Sequence, residues 1–133
     1  MAPTAPYDSR YLQGVEYFND CEFFEAHEVW EELWTEYQGT SRKFYQGLIQ
    51  LAVCLHHFGN GNARGAIKLY HSSRKYLQEY APHHEGVDLE KLFADMEACC
   101  RQLLESQEEY PQVEIEPDLI PEIHLDPPFQ EAG

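Results

Sequence analysis

The sequence predicts an all-α protein: one small bundle of about five helices with an extended, proline-rich, acidic C-terminal tail packed on it. Three observations lead there. Proline is absent from Tyr7 to Ala81, and apolar residues recur across that span at spacings of three and four. Helix-starting residues stand at intervals along the chain, each ahead of an apolar stripe. Beyond Arg101 the composition changes: no Lys or Arg remains, nine acidic residues follow, and five prolines keep the chain extended. We therefore read residues 1–110 as a helical domain and 111–133 as the tail.

Each element has its own signal. Asp8 reads as an N-cap, and Tyr11, Val15 and Phe18 form the stripe of the first helix. Asn19 with Glu22 three residues on reads as the start of a second helix, with Phe18 and Phe23 as the staple pair. That helix runs to about Tyr37 and stops near Gly39. Thr40 or Ser41 opens a third, which reaches His57 or Phe58. Gly59, Asn60, Gly61 and Asn62 make a turn, and Asn62 caps a fourth helix ending near Tyr80. Asp88 caps a fifth, whose stripe is Leu89, Leu92, Phe93, Met96, Cys99, Cys100 and Leu103. No hairpin signal is visible before residue 110, and His83 and His84 read as exposed loop residues. The tail carries Val113, Ile115, Leu119, Ile120, Ile123, Leu125 and Phe129, too many large apolar groups for a purely solvated segment.

Composition bounds the function classes. The 133 residues, 43% hydrophobic and 14% aromatic, suffice for one core. Nine basic against 24 acidic residues give a net charge of −15. That charge argues against nucleic acid and anionic membranes as main partners. The uncharged stretch from Phe44 to Ala63 holds too many polar groups to span a bilayer. Met1 to Tyr7 lacks the apolar core of a signal peptide. None of the four cysteines forms a CxxC pair. Reduced thiols and a cytoplasmic location follow.

Polar residues inside apolar stripes mark the candidate site. His27 falls within the aromatic arc of the second helix, between Phe23, Trp30 and Trp34, with Glu31 one turn on. The third helix is apolar nearly all round; its exceptions Gln46, Gln50 and His57 project to one side. A buried amide must find a partner, so His27, Glu31, Gln46, Gln50 and His57 are expected to meet in one buried cluster, which Glu28 joins if the second helix is covered on both sides. That cluster suits a core network, a divalent metal or a small-molecule pocket. HEVWE begins like a zincin helix but has Glu31 where the second histidine would stand; His27, Glu31 and His57 would still supply two nitrogens and a carboxylate. Asn62, Arg64 and Lys68 at the start of the fourth helix are the candidates for an anion.

Three ordered segments, Phe24 to Trp34 (FEAHEVWEELW), Phe44 to His57 (FYQGLIQLAVCLHH) and Gly61 to Ala66 (GNARGA), resemble the bacterial and plastid family known as domain of unknown function 309. The resemblance covers roughly residues 10–80. It implies a small all-helical fold and no activity, and the family's polar positions match His27, Glu28, Glu31, Gln46, Gln50 and His57. Two function classes stay open, with or without a homo-oligomer. One is a pocket for a metal or small molecule; the other is a non-enzymatic module for a protein partner, with the cluster as a core network.

Overall fold

The computed structural model describes residues 7–126. Five helices follow one another: α1 (Ser9–Asn19), α2 (Phe23–Glu36), α3 (Arg42–Gly59), α4 (Ala63–Leu77) and α5 (Leu89–Glu105). Short 3-10 turns cover Gln78–Tyr80 and Pro117–Leu119. Asp8 caps α1 by accepting from the Arg10 N–H at 2.8 Å. Asn62 caps α4 through the Gly65 N–H and Asp88 caps α5 through the Lys91 N–H, both at 3.0 Å, as the sequence predicts.

α3 is the central helix, packed against α2 on one side and α4 on the other, while α1 lies against α2. Phe44, Leu48, Ala52, Cys54 and Leu55 on α3 are fully buried, together with Tyr11, Phe18, Trp30 and Leu77. Glycine permits a close approach between α3 and α4. A Cβ at Gly47 would stand 2.7 Å from Leu77 Cγ, so the gap in α3 seats an α4 side chain.

Two sequence expectations are corrected. Asn19 does not cap α2; the capping position is Glu22, which makes no side-chain cap bond. The Asn19 amide instead grips the tail, donating to the Ile123 carbonyl at 2.9 Å and accepting from the Ile123 N–H at 2.8 Å. Second, a minimal antiparallel hairpin joins α4 to α5. Its strands, β1 (His83–His84) and β2 (Val87–Asp88), pair His83 with Asp88 and His84 with Val87. Glu85 and Gly86 both take left-handed backbone angles, φ 48° and 78°, as a two-residue primed turn requires. The usual Asn-Gly is replaced by Glu-Gly, so the sequence hid the turn.

The tail is extended and packed on the helices, as its apolar residues predict. Pro111, Pro121 and Ile123 are buried, and Val113, Ile115, Ile120 and Leu125 pack against the core. The Asp126 N–H donates to the Gly86 carbonyl at 2.8 Å, which ties the tail to the hairpin. Phe129 lies outside the described residues.

Candidate functional site

The expected single cluster does not form. His27 is half-buried, its side chain 23% exposed, and its Nε2 stands 3.1 Å from Glu31 Oε2. Its Nδ1 lies 3.2 Å from the Phe24 carbonyl, so both ring nitrogens are engaged within α2. Glu28 and Glu31 are exposed. On α3, Gln46 Nε2 donates to the Tyr76 hydroxyl at 3.3 Å, and Gln50 accepts a short hydrogen bond from Ser72. Both glutamines thus turn to α4, away from His27. His57 Nδ1 lies 3.3 Å from the Asn62 amide. Burial, helped by the charge of His56, pushes the His57 pKa down.

The metal set His27, Glu31 and His57 is therefore corrected: His27 and Glu31 pair, but His57 belongs to the α3–α4 turn. Among the described residues no three His, Cys, Asp or Glu stand together as metal ligands. The physical reason lies in helix geometry. α2 and α4 flank α3 on opposite sides, so polar groups at neighbouring angles on α3 are drawn to different partners. The basic anion candidates also spread out. Asn62 spends its oxygen on the cap, Arg64 lies 4.0 Å from Glu109 and 5.1 Å from the Tyr110 ring, and Lys68 is exposed.

What the structure does build is a face. Arg42, Gln46, Ile49, Gln50, Val53 and His56 lie along one side of α3, and all are half-buried. α2 borders it at both ends: Arg42 stacks 4.0 Å over Trp34, and Phe24 lies 5.4 Å from the His56 ring. α4 borders the other side through Ser72 and Tyr76. Phe24, 47% exposed, closes one end. Beyond the rim, an open depression of about 280 Å3 lies over α2, lined by His27, Glu28, Glu31, Glu32 and Thr35.

A second polar group, which the sequence did not reveal, sits at the other end of α3. His84 is sandwiched between Phe44 and Tyr80, with ring centroids 4.8 and 4.5 Å away. Its Nε2 lies 2.6 Å from the Ser41 hydroxyl, which donates to Glu85 Oε1 at 3.2 Å. A carboxylate can only accept, so the proton order runs from His84 Nε2–H to Ser41 and from Ser41 to Glu85. The Tyr11 hydroxyl donates to the Glu85 carbonyl at 2.7 Å. Burial pushes the His84 pKa down, and Glu85 partly opposes that shift. Ser41 is 3% exposed and caps nothing with its side chain, because its hydroxyl is spent on the hairpin. This group fastens the hairpin to α3.

Comparison with known proteins agrees with the sequence motifs. The uncharacterized protein YpuF of Bacillus subtilis (strain 168) is 41% identical over 76 residues, which cover 56% of this chain and 42% of that protein. An uncharacterized protein of Aquifex aeolicus (strain VF5) is 27% identical over 92 residues, covering 68% of this chain and 28% of that protein. The chain thus spans less than half the length of these curated relatives. Residues 11–69, which run from the third residue of α1 through α2 and α3 into the first half of α4, match the family described as "Domain of unknown function (DUF309)".

Proposed function

We propose that the chain is a binding module that receives a polypeptide segment of a protein partner along the half-exposed face of α3. The observation that carries this reading is the shape of the face. Ile49 and Val53 form an apolar strip bordered by Trp34 and Phe24 of α2 and, on the other side, by the Gln46–Tyr76 and Gln50–Ser72 pairs with α4. From Arg42 to His56 it runs about 20 Å, at the rise of an α-helix. That length suits a helix or extended segment and exceeds what one small molecule covers. His27, Glu31, Gln46 and Gln50 then supply rim contacts rather than a metal centre. The buried free thiols Cys54, Cys99 and Cys100 support a reducing compartment such as the cytoplasm.

The test places a photo-crosslinking residue at Val53 and, as a control, at the exposed Glu90 on α5. The reading expects a discrete adduct from position 53, none from position 90, and loss of the adduct on adding Ile49→Glu with the fold intact. Equal labelling from both positions, or none from Val53, would sink it. Calorimetric zinc binding that Glu31→Gln abolishes would replace it with the metal reading.

A further inference from the structure

Arg42 and Trp34 stand at one end of the α3 face and carry an inference that does not require the docking reading. The indole Nε1 of Trp34 is buried and has no hydrogen-bond partner; among the described residues no other buried side-chain nitrogen or oxygen is in that position. A buried polar hydrogen without an acceptor is costly and calls for a reason. Directly over this ring lies the Arg42 guanidinium, 4.0 Å from the ring centroid. Its Nε donates to the Tyr37 carbonyl at 3.2 Å, which fixes the plane of the fork. The two terminal nitrogens meet no carboxylate among the described residues, although the chain holds 24 acidic residues against nine basic ones. Arg10, Arg64, Arg74 and Lys91 have acidic neighbours within 4.0 Å; Arg42, like Lys43, Lys68, Lys75 and Arg101, has none among the described residues. Arg42 is also the first residue of α3, whose N-cap Ser41 makes no side-chain cap bond. The first-turn N–H groups and the positive end of the helix dipole therefore add to the same field.

We propose that Arg42 and Trp34 form a binding site for a carboxylate group. Every group in it is a donor or a cation. A guanidinium edge matches a planar carboxylate in two parallel hydrogen bonds. The indole N–H supplies a third donor once the half-exposed Arg42 side chain tilts off the ring and exchanges its bond to the Tyr37 carbonyl for the ligand, a rotation open to a surface side chain. A phosphate dianion fits less well: its second charge would meet the field of a chain at −15 with one positioned guanidinium to offset it. The carboxylate belongs either to a free small acid or to the C-terminus of a peptide.

The experiment uses the full chain, nitrogen-labelled, with the Trp34 indole resonance assigned by its loss in Trp34→Phe. Succinate, acetate, inorganic phosphate and a short neutral peptide with a free or amidated C-terminus are titrated at constant ionic strength. The expected result is a saturable shift of the Trp34 indole N–H, with that of Trp30 unmoved, for the carboxylate probes. Arg42→Lys, which keeps the charge and loses the fork, weakens binding about tenfold or more. Trp34→Phe keeps the stacking face, folds without the orphaned N–H, and weakens calorimetric binding severalfold. Saturation by succinate or acetate identifies a small-acid site; saturation by the free peptide but neither its amide nor the small acids identifies a C-terminus site. Three results overturn the proposal: no saturable shift with any carboxylate, equal or tighter binding of phosphate, or binding unchanged in both variants. The probes are small, so failure here leaves the docking reading of the α3 face standing.

Discussion

Individual polar residues in this protein are placed by whichever neighbour reaches them first. Gln50 and His27 both interrupt apolar stripes, yet Gln50 meets Ser72 on α4 while His27 meets Glu31 one turn along its own helix. This sets a modest cost for Gln50→Leu. Gln50 and Ser72 are half-buried, so water can take over from the lost amide. We expect a loss of less than about 1 kcal/mol, well short of a buried orphan; a larger drop in the urea midpoint would mean that the pair is sealed from solvent. Ser41 contrasts with it. Its hydroxyl bridges His84 and Glu85 while 3% exposed, so Ser41→Ala should cost about 1–3 kcal/mol, read from the same measurement. The sequence marked His27, Gln46 and Gln50 because helical spacing exposes a polar residue in an apolar row. It did not mark Ser41, His84 or Glu85, because their meeting depends on a chain reversal more than 40 residues downstream of α3's start. The pairing of Arg42 with Trp34 was hidden for a related reason: each residue is ordinary at its own position, and the two helices bring them together.

At the level of elements, local signals were legible where the chain supplies its own partner. The caps of α1, α4 and α5 are one side chain and one amide two or three residues away, and all three form. The start of α2 was misjudged because Asn19 had a better use, a two-point clamp on Ile123. Asn19→Ala removes both bonds and leaves the tail held by its apolar contacts and by Asp126. Limited proteolysis should then cut between residues 106 and 126 faster than in the wild type while the helices survive; unchanged cleavage would show that the clamp is dispensable. The α1–α2 contact offers a sharper test. A Cβ on Gly14 would stand 1.9 Å from Trp30 Nε1, and Trp30 is fully buried with its indole donating to the Tyr11 carbonyl at 3.1 Å. Alanine is the better helix former by about 1 kcal/mol. The indole has no room to retreat without breaking its hydrogen bond, so overpacking should win. Gly14→Ala is expected to lower stability by about 1–3 kcal/mol. A stabilised Gly14→Ala variant would refute this account of the close approach.

For the whole molecule, two half-buried histidines set the response to mild acid. The imidazoles of His84 and His57 both have pKa values below the ordinary 6.5. For His84 the cause is burial, partly opposed by Glu85; for His57 it is burial, reinforced by His56. The sign follows from which state takes up protons. Above about 6.5 both rings are neutral in folded and unfolded chains, and their contribution to stability is fully present. As the pH falls below that value, the unfolded chain binds protons that the folded chain refuses, so unfolding becomes easier. The loss levels off once the folded rings protonate as well. The ordinary carboxylate range lies below this window, so the interval from pH 7.5 to 5.5 is the one that reads out His84 and His57. The hairpin is the weak point, since a charged His84 would sit between the Phe44 and Tyr80 rings while fastening β1 to α3. We therefore expect the denaturant midpoint to fall from pH 7.5 to 5.5 at fixed ionic strength. His84→Gln keeps a donor for Ser41 and cannot titrate there; it should start from a lower midpoint and lose less of it over the same range. A wild-type midpoint that is flat or rises on acidification, or a His84→Gln variant with the full wild-type slope, would show that the hairpin histidine does not govern the response.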